Sequence, residues 1–241
     1  MIILYQFPIS HFCEKVRWAL EFKNIDHKTI NMVPGLHFNQ TKKMGIKSSV
    51  PIIEHDKKII QGSLETIDYL DKTFPEHSLT PTDYEQRKEA LNWENYLAEE
   101  VGVTVRLCVY HILLDHPKIV KPFFTNNGPW YGNLFLSLAF PKLVSKMRYF
   151  MKINSESAVL ARKQLSAAID KLAQHYQDNQ FLVGDKFSRA DLTAASLLAP
   201  LSKQPKYGLD WPKELPDELN KLMSEFASKT QWVDRMYDKY R

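Results

Sequence analysis

Ser10 and Cys13 stand three residues apart in Pro8-Ile9-Ser10-His11-Phe12-Cys13-Glu14-Lys15-Val16-Arg17-Trp18-Ala19-Leu20, where an apolar run broken by Pro8 gives way to a helical pattern. A hydroxyl and a thiol at a helix start share its unpaired amides and partial positive charge, a setting that holds an anionic sulfur. Two kinds of chemistry follow. Ser10 can donate its hydroxyl hydrogen to a ligand thiolate, or Cys13 can itself react, provided it is exposed and acidic enough. Lys15 and Arg17 read as solvated or ion-paired helix charges, and Tyr5 as a half-buried strand aromatic.

Two further segments carry candidate ligand contacts. In Ser48-Ser49-Val50-Pro51-Ile52 a proline opens a strand; a cis peptide there leaves the Val50 backbone free to pair with an extended ligand. In Gln61-Gly62-Ser63-Leu64-Glu65-Thr66-Ile67-Asp68-Tyr69-Leu70, Ser63 stands where it can cap the next helix, and the free amides around it can instead receive a ligand carboxylate. Taken singly, each motif is equally compatible with a purely structural role.

The elements that position these groups follow from hydrophobic spacing. Ile2 to Phe7 reads as a buried strand, Phe12 to Phe22 as a helix with Phe12, Val16, Ala19 and Leu20 on one face, and His27 to Val33 as a second strand. A polar loop leads to Pro51–His55 and Lys58–Gln61, two short strands around Asp56-Lys57, and then to a helix through Leu64, Ile67 and Leu70. Thr73 to Thr82, with Pro75 and Pro81, reads as a linker. Beyond it the pattern is helical: Asp83 to Leu114, Phe140 to Ile153, Ala158 to Tyr176, Ala190 to Leu201 and Asp217 to Lys229. The expectation is an α/β domain over 1–78 followed by an all-α domain over 83–241. Phe187-Ser188-Arg189-Ala190-Asp191-Leu192 predicts a capping box between Ser188 and Asp191, with Phe187 stapled onto Leu192.

Composition narrows the function. A net charge of +4 without a clustered basic patch argues against a nucleic-acid partner. The most apolar later stretch, Leu134 to Met151, is broken by Pro141, Lys142, Lys146 and Arg148, which argues against a membrane span. Only two cysteines occur, Cys13 and Cys108, without metal-ligand spacing, as expected of a cytoplasmic protein with no metal. The N-terminus reads as a first strand rather than a signal peptide.

Taken in order, the motifs resemble the glutathione S-transferase superfamily, with a pattern nearest to omega-like and related bacterial members. Ser10-x-x-Cys13-x-Lys15-x-Arg17 is similar to the thioredoxin-like active-site turn, Val50-Pro51 to the cis-proline signature, Ser63 to Leu70 to the glutathione-binding helix start, and Phe181 to Leu192 to the C-terminal capping motif. The resemblance implies a thioredoxin-like glutathione-binding domain and a helical domain contributing an electrophile site. It implies glutathione as co-substrate, a small hydrophobic electrophile, a detoxifying role and a homodimer. By position it makes Ser10 and Cys13 the candidate catalytic pair, Val50 and Pro51 the contact to the cysteinyl part, Ser63 the contact to the γ-glutamyl carboxylate and His37 a contact to the glycyl end. Where many members carry Glu, this chain has Gly62, so one contact to the γ-glutamyl ammonium is missing or supplied elsewhere. The expected activity is transfer of glutathione; the alternatives are a non-catalytic binding or regulatory protein on the same fold, or a Cys13-dependent thiol reductase. Phe123-Phe124 to Trp130-Tyr131, with Tyr110 and His111, is a candidate wall of the electrophile site or simply core.

Overall fold

The computed structural model describes all 241 residues. Strand β1 (Ile2–Gln6) alternates buried and half-buried side chains, the period-two pattern of a pleated strand. Pro8 has no amide hydrogen to continue the ladder, and Ser10 starts helix α1 (His11–Phe22), its Oγ accepting from the Cys13 amide at 3.3 Å. The chain returns as β2 (His27–Asn31), parallel to β1 from Ile2 opposite His27 to Gln6 opposite Asn31. Parallel strands need a crossover, and α1 is that crossover.

After β2 the expected loop contains a short helix, α2 (His37–Lys43), in which only His37 and Thr41 are buried. Seven residues are too few to show a helical period, and a helix this short depends on packing rather than propensity. Strand β3 (Ile52–His55) runs antiparallel to β1, and β4 (Lys58–Gln61) antiparallel to β3, giving the order β2-β1-β3-β4. Asp56 and Lys57 between them both take positive φ, +50° and +65°, the geometry of a type I′ hairpin turn. Helix α3 (Ser63–Thr73) then packs beside α1.

The second part is helical, as expected from its spacing. Asp83 caps α4 (Tyr84–Tyr96), accepting from the Gln86 amide at 2.9 Å. The stretch expected to run unbroken to Leu114 widens into a π-helical turn over Leu97–Gly102 before α5 (Val103–Leu113). Then come α6 (Pro117–Thr125), α7 (Gly132–Phe150), α8 (Ser155–Asp178), α9 (Arg189–Leu198), α10 (Asp217–Phe226) and α11 (Gln231–Tyr240). Helix α7 starts at Gly132 rather than Phe140 and carries Pro141 inside it. Helix α11, beyond the last expected helix, buries Trp232, Val233, Met236 and Tyr237 on one face.

The buried helix α9 is the hub of the helical part, packed against α1, α4, α11 and the π turn. Its start is the expected capping box: Asp191 Oδ2 accepts from the Ser188 amide at 3.0 Å, while Oδ1 accepts from the Leu182 amide at 2.7 Å and the Tyr176 hydroxyl at 2.9 Å. Phe187 stacks on Tyr240 at 4.4 Å and on Trp18 at 5.7 Å between ring centroids, so its ring joins α1 to α11.

Lys15 and Arg17 are ion-paired but not solvated. The Glu94 carboxylate of α4 receives both the Lys15 ammonium of α1 and, at 2.7 Å, the Arg189 guanidinium of α9, and all three side chains are at most 2% exposed. Arg189 also reaches Asp68 of α3 at 2.6 Å. On the other side of α1, Arg17 binds Glu14 at 2.7 Å and the Tyr207 carbonyl at 2.7 Å, and Glu14 accepts from Tyr237 at 3.0 Å and Arg241 at 3.1 Å. Removing one partner of such a cluster strands a buried charge. Glu94→Gln is therefore expected to lower the unfolding free energy by about 3 kcal/mol in a urea titration; a loss under about 1 kcal/mol would mean that Lys15 and Arg189 find water or other partners.

Candidate functional site

A cleft of about 990 Å³ opens between the α/β part and the helical part. Ser10 and Phe7 at the end of β1, the α2 start, and Ser48 to Val50 form one side; α5, α7 and Tyr207 to Trp211 form the other. Of its 31 lining residues 20 are hydrophobic, so ligand contact in it is mainly apolar. Among the expected site residues Ser10, His37 and Val50 line this cleft, while Cys13, Pro51 and Ser63 do not.

Ser10 is half-buried, and its Oγ accepts from the Cys13 amide of α1. Accepting from an amide leaves the hydroxyl its own donor hydrogen, and Ser10 borders the cleft. A sulfur placed there would meet that donor and the positive end of α1 together. Cys13, one turn further, is fully buried. Burial pushes its thiol up, outweighing the opposing pull of Ser10 and Arg17. A buried protonated thiol is a poor nucleophile, and of the pair only Ser10 lines the cleft. Tyr5 donates to Glu54 at 2.8 Å and is pushed up to about 12 by burial and that carboxylate, away from the cleft. Cys108 is buried, its thiol pushed up to about 11 by burial.

His37 is the first residue of α2; its Nδ1 accepts from the Gly35 amide at 3.1 Å, and its ring meets Phe7 edge-on at 4.9 Å. Burial pushes its imidazole down, so it is a neutral group here. The Val50-Pro51 peptide is cis, as expected. Gln61 Nε2 donates to the Lys47 and Ser49 carbonyls, each at 2.7 Å, which pins the segment leading to Val50.

Ser63 does not cap α3. Gly62 holds the cap position at φ +110°, a conformation that side chains rarely adopt, and Ser63 is the first helical residue. The Gly62 amide donates to the Pro51 carbonyl at 3.0 Å, so the α3 start lies directly behind Val50-Pro51. A Cβ at Gly62 would overlap the carboxylate of Glu65, which curls back over the start of its own helix.

The π turn abuts the first turn of α1. A Cβ on Gly102 would come within 2.5 Å of the Phe12 ring, and the Gly102 carbonyl accepts from His11 Nε2 at 2.8 Å. Burial pushes His11 down to about 3, so the ring next to Ser10 is neutral. Of the expected aromatic wall Tyr110 and Phe123 line the cleft; Phe124, Trp130, Tyr131 and His111 do not, and Trp130 is 85% exposed. The rest of the wall, Phe135, Leu143, Met147 and Phe150 of α7 together with Arg106 of α5, carries no sequence motif. Its helical spacing along α7 was the available signal. No cluster of three or more His, Cys, Asp or Glu is placed to hold a metal ion, and no helix is long and apolar enough to cross a membrane.

Sequence-family models match in two stretches: glutathione S-transferase, N-terminal domain, over residues 4–78, and glutathione S-transferase, C-terminal domain, over residues 137–230. The chain is 35% identical over 204 residues to glutathione S-transferase 1 of Dianthus caryophyllus, covering 72% of this chain and 89% of that one. Its fold is similar to a glutathione S-transferase from Rhodospirillum rubrum, with TM-score 0.68 at 18% identity over 99% of this chain and 89% of that one. It is also similar to one from Methylobacterium radiotolerans in complex with glutathione sulfonate, with TM-score 0.63 at 16% identity over 99% and 91%.

The burial of Cys13 and Cys108 has a direct chemical consequence. Native protein should show neither thiol reacting with Ellman's reagent over minutes, and both reacting once urea unfolds it. One thiol titrating rapidly in the native state would return Cys13 to the cleft.

Proposed function

This chain belongs to the glutathione S-transferase superfamily, and on that premise we propose that it conjugates glutathione to an electrophile, with Ser10 stabilising the thiolate. The observation that carries the reading is Ser10 itself: its oxygen accepts from the Cys13 amide at the start of α1, and its side chain lines the cleft. The glutathione thiol releases its proton to solvent water, the sulfur keeps the electron pair, and Ser10 together with the α1 dipole offsets the charge. Attack forms a carbon–sulfur bond and the leaving group departs with its bonding electrons. No covalent bond to the protein is required.

The peptide part of glutathione is proposed to lie along Val50, which lines the cleft, and to end at the α3 start. Ser63 and the neighbouring amides would take the γ-glutamyl carboxylate. Glu65 would take the ammonium, since its carboxylate occupies the space that Gly62 leaves empty. His37, neutral and held by Gly35, would serve the glycyl end as a hydrogen-bonding and packing surface. The electrophile would occupy the apolar side of the cleft. Pairing as a homodimer, a cytoplasmic setting and a detoxifying role belong to the same reading and rest on the family resemblance alone.

Conjugation of glutathione to a chlorodinitrobenzene, followed by absorbance, tests this. Ser10→Ala should lower kcat/KM about a hundredfold, the usual scale for removing one donor from a developing anion, and Cys13→Ala should leave it within about threefold. Full activity in Ser10→Ala, or failure of the wild-type protein to bind immobilised glutathione, would overturn the assignment.

A further inference from the structure

Arg106 is a half-buried cation with no carboxylate partner in the chain. The guanidinium groups whose side chains are nearly closed to water have carboxylates: Arg17 with Glu14, Arg189 with Glu94 and Asp68, Arg241 with Glu14. Arg106, on α5, lines the cleft with Ser10, His11 and Tyr110, and no carboxylate or hydrogen-bond acceptor of the chain engages it. Burial pushes its guanidinium down, opposed only by Tyr110, one turn along the same helix. Its charge also disfavours a proton on His11, a second residue of the same lining.

The rest of the lining has the same sign. Lys142 and Lys146 of α7 also border the cleft, are exposed and have no ion-pair partner, whereas no Asp or Glu lines it at all. Three cations therefore border a mainly apolar space with no carboxylate in its lining. A half-desolvated guanidinium in an apolar wall is unfavourable until an anion completes it. Its planar fork fits a carboxylate bidentately. Val105, Val109 and Leu113 flank it on α5, so an anion seated there would carry its apolar body against that helix and α7.

We propose that the cleft selects apolar acids: an electrophile with an aromatic or alkyl body and a carboxylate that Arg106 clamps, drawn in by Lys142 and Lys146. The catalytic consequence rests on the glutathione reading of Ser10; the anion site itself does not. Long-range attraction by the two lysines would fall with salt, and the Arg106 contact much less.

Displacement of bound anilinonaphthalenesulfonate fluorescence measures affinity without glutathione, using chlorodinitrobenzoate and its uncharged methyl ester as competitors. Wild-type protein should prefer the acid by about tenfold or more, the scale of one charge-assisted pair. Arg106→Leu should erase that preference, and Arg106→Lys should keep part of it by retaining the charge without the fork. Conjugation kinetics at saturating glutathione should show the same change in the acid-to-ester ratio of kcat/KM. A wild-type protein without acid preference would overturn the proposal. So would a preference that survives Arg106→Leu, or a loss of glutathione affinity in that variant equal to the loss for the acid, which would assign Arg106 to glutathione itself. Arg106-dependent binding of the acid with no conjugation of either compound would support the anion site and remove the transferase reading instead.

Discussion

One carboxylate sets the position of the helix that carries the chemistry. Glu94 of α4 receives a lysine from α1 and an arginine from α9 in a space that excludes water. Pairing there does little for net stability, because desolvating the charges offsets most of their attraction. It does make alternative placements of α1 costly, since any shift that separates the three leaves a buried charge alone. Glu14 repeats the arrangement on the same helix with Arg17, Arg241 and Tyr237. Helix α1 is thus tied to the helical part along its length, and the cleft between the two parts has a fixed floor.

Ser10 inherits its geometry from this anchoring. As the capping residue it is the last position before the helix turns side chains inward, so it faces the cleft, whereas Cys13 one turn later points into the core. The contact from His11 to the Gly102 carbonyl fixes the same turn from the opposite side. That contact depends on the π turn and on a residue without a Cβ at position 102. The anchoring charges are neutralised inside the fold, but the charge on Arg106 is not. Structural and ligand-directed cations are separated by whether the chain supplies a carboxylate.

Local signals account for much that the sequence revealed. The β-α-β unit, the tight turn at Asp56-Lys57 and the Ser188–Asp191 box are each written in a few adjacent residues, and each stands as expected. Non-local features were hidden. Lys15 and Arg17 read as solvated or ion-paired, and the sequence could not choose between the two because Glu94 and the Tyr207 carbonyl, which help to bury them, lie far along the chain. Ser63 looked like a cap because Ser is a common one, but the chain reverses into α3 with positive φ, which suits Gly62 instead. Arg106 has no motif at all; it becomes conspicuous only once the buried arginines Arg17 and Arg189 are seen to be paired.

The most direct measurement is the ultraviolet pH titration of the thiolate of glutathione bound to the protein. The account predicts a midpoint below the ordinary thiol value of about 8.5, a rise of about one to two units in Ser10→Ala, and no change in Cys13→Ala. A midpoint that ignores Ser10, or that moves only when Cys13 is removed, would contradict it.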